Sequence, residues 1–100
     1  MIIQWDLYEI HSSSVSLHGI KLRGRVRKFT IEKSITCTIE NASDKENRVR
    51  FALISNSDPK IIIDFIKSIL PEAEITESLK NISNPVLSKL KVNDISRYEI

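Results

Sequence analysis

The residues most suited to chemistry are cations that alternate with uncharged neighbours, in 21-KLRGRVRK-28 and again in 48-RVRF-51. The six cations that share this alternation are Lys21, Arg23, Arg25, Arg27, Arg48 and Arg50. Side chains of an extended strand point alternately to its two faces, so each set predicts one row of positive charge. Guanidinium groups fit phosphate oxygens, so the two rows on one exposed sheet face could bind an anion or RNA. The alternative is an ordinary solvated face balanced by the glutamates of the chain.

Other reactive side chains give weaker signals. His11 and His18 flank a serine-rich stretch, but neighbours in sequence do not establish a catalytic triad, which is assembled in space. Cys37 is the only cysteine, so an intrachain disulfide is impossible, and its place among apolar residues favours a small core side chain. Trp5 is expected to pack in the core or at an interface. We expect no metal site and no cofactor.

Composition predicts one folded domain over residues 1–100. The chain is 41% hydrophobic and 28% charged, which is typical of a globular protein, and its net charge is only +2. Any electrostatic function must therefore come from how the charge is distributed. The sequence has neither a signal-peptide pattern nor an apolar run long enough to span a bilayer, so we expect a cytoplasmic protein that does not bind membranes.

Periodicity predicts mainly strands. Apolar residues alternate in 2–10, 15–27, 29–40 and 48–54, with a turn near 32–34 and a polar turn at 41–47. Weaker strand patterns follow at 72–79 and 86–100, with a loop between them.

One helix is clear, over residues 58–70. Asp58 is a candidate N-cap, Pro59 suits the first helical position, and Ile62, Ile66 and Ile69 lie on one face. The prediction is an α+β fold in which a mostly antiparallel sheet carries one main helix, at 58–70, on one face, as in a ferredoxin-like variant. The opposite face then needs solvent or a partner, which predicts a homo-oligomer.

Short motifs resemble the acylphosphatase family: 23-RGRV-26, 38-TIEN-41, the hairpin 44-DKENRVRF-51 and the closing 98-YEI-100. The resemblance implies a ferredoxin-like fold in which Asn41 positions the attacking water and Arg27 holds the phosphate. The chain departs from the family in two ways. Only 13 residues separate Arg27 from Asn41, which is short for a helix and a strand, and no glycine follows Gly24 to form a phosphate-cradling loop.

A second resemblance covers residues 49–100, where a strand, a helix ending in Leu-Pro-Glu and the segment 93-NDISR-97 look like the small dimerising subunit of the archaeal KEOPS tRNA-modification complex. Three functions follow as hypotheses. The first is a non-enzymatic, self-associating binding module with a basic surface for phosphate or RNA. The alternatives are an acylphosphatase-type hydrolase, active or degenerate, and an accessory subunit of a tRNA-modification complex.

Overall fold

A computed structural model describes residues 3–83, 85–87 and 91–92 of the chain. The elements in chain order are β1 (Trp5–His11), α1 (Leu22–Glu32), β2 (Cys37–Asn41), β3 (Arg48–Ile54), α2 (Lys60–Ile69), β4 (Glu74–Ile82), β5 (Pro85–Val86) and β6 (Lys91–Val92).

The first four strands form one sheet in the order β2-β3-β1-β4, and every neighbouring pair is antiparallel. One helix connects β1 to β2 and the other connects β3 to β4, so the protein is α+β, as the sequence predicted. This arrangement is compatible with a ferredoxin-like variant. The expectation of a single main helix is wrong, because α1 is a second helix.

The basic segment forms α1 and is not a strand. Leu22, Val26 and Thr30 recur every four residues and are buried against the sheet, while Phe29 stacks on Phe65 of α2 with ring centroids 4.1 Å apart. The cations of this segment alternate as they would in a strand, while its apolar residues have the spacing of a helix. Burial of one helical face against the sheet prevailed over the low helix propensity of Gly24 and the β-branched residues.

The helix predicted at 58–70 is confirmed as α2. Its apolar face buries Ile62 and Ile66, and the Asp58 Oδ1 atom accepts a hydrogen bond of 2.9 Å from the backbone N–H of Lys60 at its start. The strand predictions at 2–10, 48–54 and 72–79 are confirmed as β1, β3 and β4, with small shifts of their ends. Most of the strand region predicted at 86–100 lies outside the described residues.

The sheet separates two apolar clusters. The larger cluster lies between the sheet and both helices and includes Tyr8, Ile10, Val49 and Phe51. The smaller one lies on the opposite face, where Leu7 of β1 and Ala52 of β3 pack with Leu87. Part of the face expected to need a partner is therefore covered by the chain itself.

Asp6 ties one end of the sheet together. Its carboxylate accepts hydrogen bonds from the backbone N–H groups of Asn56 and Asn81 and from the Ser55 hydroxyl. Burial by itself would raise the pKa of Asp6, but these hydrogen bonds outweigh it and lower the pKa below its usual value. The carboxylate therefore joins β1 to the turn after β3 and to β4.

Candidate functional site

Four of the six candidate cations lie on α1 or at its start, and all four are exposed: Lys21, Arg23, Arg25 and Arg27. On a helix these positions are spread around the solvent side, so they do not form the single row expected of a strand. Lys28 and Lys33 are exposed on the same helix and at its end. Neither lysine belongs to the alternating set found in the sequence. A strand would have placed Lys28 on the other face, and Lys33 lies beyond the segment 21–28.

The other two cations, on β3, are part of an internal ion-pair network. Arg50 is completely buried, and its guanidinium group contacts Asp44 at 2.7 Å and Glu9 at 3.2 Å. Arg48 pairs with the same Glu9 at 2.5 Å. The hydrogen bond from Arg50 lowers the pKa of the Asp44 carboxyl. Arg50 therefore cannot belong to an exposed anion-binding face, and the prediction of one six-cation surface is wrong.

Positive charge is concentrated on α1. Residues 21–33 hold six cations and one carboxylate, Glu32, although the whole chain carries only +2. Among the described residues, no ion pair involves any of these six cations. The Lys33 ammonium group instead lies 6.0 Å from the centre of the Phe29 ring. This surface therefore combines high positive charge with little internal neutralisation.

A cleft of about 330 Å³ opens at the start of α1. Lys21 and Arg23 line it together with His18 and with Asn41, which ends β2. No side chain caps the first turn of α1, and although the Lys21 and Leu22 N–H groups donate to the preceding loop, those of Arg23 and Gly24 and the helix dipole favour an anion. The two cations, the amide and the helix terminus form an arrangement that can bind one phosphate group.

The structure does not bring the residue pair expected from the acylphosphatase resemblance, Arg27 and Asn41, together in this cleft. Arg27 lies on the middle turn of α1 and does not line the cleft, whereas Arg23 lies there with Asn41. The helix starts before Arg27, so the 13 residues that follow it hold only the rest of α1, the connection 33–36 and most of β2. The chain is therefore not too short for a helix and a strand. The spacing of Leu22, Val26 and Phe29 was the signal that could have revealed the helix.

The loop before α1 offers few free backbone donors for a phosphate. Asn47 holds it from the β2–β3 hairpin: its side chain accepts from the N–H of Leu17 at 2.8 Å and donates to the carbonyls of Ser12 and Val15. Seven N–H groups between residues 13 and 22 donate to acceptors of the chain itself: those of Ser14, Val15, Leu17, Gly19, Ile20, Lys21 and Leu22. An anion bound beside this loop must therefore be held mainly by cationic side chains.

An apolar groove of about 370 Å³ runs between the two helices beside these cations. Phe29, Phe65 and Ile69 are half-buried in it, and three charged residues complete its lining: Arg25, Lys28 and Glu32. Two aromatic side chains, Phe29 and Phe65, therefore lie beside the cations of α1.

The remaining candidate residues, Cys37, His11 and Trp5, are partly buried, paired or packed within the fold. Burial raises the pKa of the Cys37 thiol to about 11, although a hydrogen bond with the backbone of Ala52 opposes the shift, so the thiol is a poor nucleophile. His11 lies 3.7 Å from Glu74, and Trp5 packs against the Leu7, Ala52 and Leu87 cluster. Within the part of the chain that the structure describes, no three His, Cys, Asp or Glu side chains are grouped as metal ligands. No helix in that part is long and apolar enough to cross a bilayer.

Comparison with known proteins gave no match: no family model, curated sequence or solved structure is significantly similar to this chain. Both resemblances noted in the sequence therefore stay predictions.

Proposed function

We propose that this protein is a non-enzymatic binding module that holds phosphate groups of RNA along the exposed side of α1. The observation that carries the proposal is the set of six exposed cations on residues 21–33, which have no anionic partner among the described residues. Such a surface gains affinity by releasing the counterions condensed on a nucleic acid.

Two features support RNA as the partner. The cleft with Lys21, Arg23 and Asn41 can accept one phosphate at the end of the basic helix. The groove beside Arg25 and Lys28 adds the partly exposed rings of Phe29 and Phe65. Cations next to aromatic side chains are typical of sites for single-stranded nucleic acid, in which unstacked bases contact apolar surface.

The test is binding of a labelled single-stranded RNA to the triple variant Arg23→Gln/Arg25→Gln/Arg27→Gln, measured between about 50 and 200 mM salt. Glutamine keeps helix propensity and removes only charge. We expect the variant to bind more weakly. In a plot of log affinity against log salt concentration, the magnitude of its slope should be smaller by about 0.7 for each phosphate group that the variant no longer neutralises.

The matched control is Lys45→Gln/Lys67→Gln/Lys80→Gln, which removes the same charge from exposed positions outside α1. It should retain most of the affinity and the slope of the wild type. An equal decrease in affinity for the two triple variants would show that net charge alone governs binding, and absence of binding by the wild type would refute the proposal.

A second candidate function, hydrolysis of an acyl phosphate, is favoured by the meeting of Arg23 and Asn41 in one cleft. In this reaction Arg23 would hold the phosphate and the Asn41 amide would orient the attacking water. The internally bonded loop before α1 argues for the binding function, because it leaves few N–H groups to converge on the phosphate.

The two candidates are separated by the rate of acetyl phosphate hydrolysis. If the protein is a hydrolase, Asn41→Ala and Arg23→Gln should lower the rate to the buffer background. Arg27→Gln should retain it, since Arg27 lies outside the cleft. A wild-type rate no higher than the buffer background would exclude the hydrolase.

A further inference from the structure

A single leucine from the C-terminal region covers part of the sheet face opposite the helices. Leu87 is only 5% exposed, and it packs on Leu7 and Ala52, which are both 0% exposed. Trp5, Leu79 and Ile82 surround this contact and are partly buried. The sheet therefore has a defined apolar site that fits one leucine side chain.

The backbone at this leucine is held by a second, polar contact. The Arg50 guanidinium donates a hydrogen bond of 3.0 Å to the Leu87 carbonyl oxygen, and this bond is buried. Glu9 and Asp44 fix the guanidinium group in place. A preorganised donor beside an apolar site is how proteins recognise an extended peptide, by one main-chain group and one side chain.

The segment that carries Leu87 is not a strand of the main sheet. Among the described residues, β5 and β6 pair only with each other, as Pro85 with Val92 and Val86 with Lys91. Leu87 therefore packs on the face of the four-stranded sheet without belonging to one of its strands, as a bound ligand would.

We propose that the site formed by Leu7, Ala52 and Arg50 is a peptide-binding site, which the chain fills with its own residue 87 and which can take the same segment from a second copy. Every copy carries both the site and its ligand, so mutual exchange of the segment gives a closed two-fold dimer. This proposal does not depend on RNA binding, because the site lies on the face of the sheet away from α1.

The probe is a synthetic peptide of residues 85–92, with a control peptide in which the leucine corresponding to Leu87 is replaced by aspartate. The protein contains one tryptophan, Trp5, and it borders the site, so its fluorescence reports occupancy. In the full-length Leu87→Ala variant we expect red-shifted Trp5 emission, which the peptide reverses. The control peptide should bind at least about tenfold more weakly, because it lacks the leucine side chain.

Light scattering on the wild-type chain tests exchange without any substitution. Dimer should accumulate as concentration rises, and excess peptide should return it to monomer. A wild-type chain that stays monomeric, or a dimer that the peptide leaves unchanged, would overturn exchange with a second copy. Failure of the peptide to shift Trp5 emission in Leu87→Ala, with circular dichroism still native, would overturn the binding site itself.

Discussion

At the scale of single residues, Arg50 differs most from what its sequence context predicts. The alternation in 48-RVRF-51 predicted that the two arginines share one face of a strand, and the structure places Val49 and Phe51 on the opposite face, toward the helices. The face with the arginines is not open to solvent at Arg50. Its guanidinium group is enclosed by Glu9 of the neighbouring strand, Asp44 of the hairpin and the Leu87 carbonyl. Arg50 therefore joins three separate parts of the chain.

Removing this side chain should be costly. Arg50→Ala is expected to lower the free energy of unfolding by about 3 kcal/mol, because it breaks a buried ion-pair network and leaves the Leu87 carbonyl without its donor. The expected decrease lies at the low end of the range for buried pairs, since Glu9 keeps Arg48 and the Asp44 side chain is 33% exposed. Urea denaturation measures the change.

The control is Arg48→Ala, which removes a partly exposed cation from the same glutamate. The two side chains are 27% and 12% exposed, and Glu9 keeps its pair with Arg50 when Arg48 is removed, so the loss should cost only about 1 kcal/mol. Equal destabilisation by the two substitutions would contradict the structural role assigned to Arg50.

At the scale of elements, α1 shows how two periodicities can coexist in one segment. Its cations follow an alternation of two residues, while Leu22, Val26 and Phe29 follow the helical period. Charged side chains are solvated in either case, so their spacing carries little structural information. The apolar residues decide, because only the helix buries all three toward the core.

Gly24 is the weak point of this helix. A Cβ atom there would meet nothing within 4 Å, and the residue is exposed on the helix. Gly24→Ala should therefore raise the free energy of unfolding by about 0.5–1 kcal/mol, since alanine loses less backbone entropy on folding. Thermal unfolding measures this gain.

Gly19 provides the comparison. A Cβ atom at this position would lie 3.3 Å from Ser16, whose hydroxyl accepts a hydrogen bond from the Gly19 N–H. Gly19→Ala should therefore give no stabilisation. The same gain at both positions would show that local packing is irrelevant to the effect.

At the scale of the whole molecule, the fold separates two kinds of positive charge. The arginines of β3 are neutralised by Glu9 and Asp44, whereas the cations of α1 face solvent on the other side of the sheet. A net charge of +2 therefore conceals a strongly basic surface. Self-association, expected from the apolar character of the chain, stays a prediction, and segment exchange at Leu87 gives it a specific structural route.

The sequence by itself determined the α+β class, the strands around 2–10 and 48–54, and the helix α2. Each has a strong local pattern: alternation of apolar residues in the strands, and Asp58-Pro59 followed by apolar residues at helical spacing in α2. Such patterns depend on near neighbours in the chain, so one sequence is enough to reveal them.

Only the tertiary structure decided which cations are available and which residues meet. The burial of Arg50 depends on strand register with Glu9, and the cleft depends on β2 bringing Asn41 to the start of α1 beside Arg23. The docking of Leu87 on Leu7 and Ala52 likewise joins residues far apart in sequence. Burial and pairing of this kind are properties of long-range contacts, which the spacing of residues along one chain does not specify.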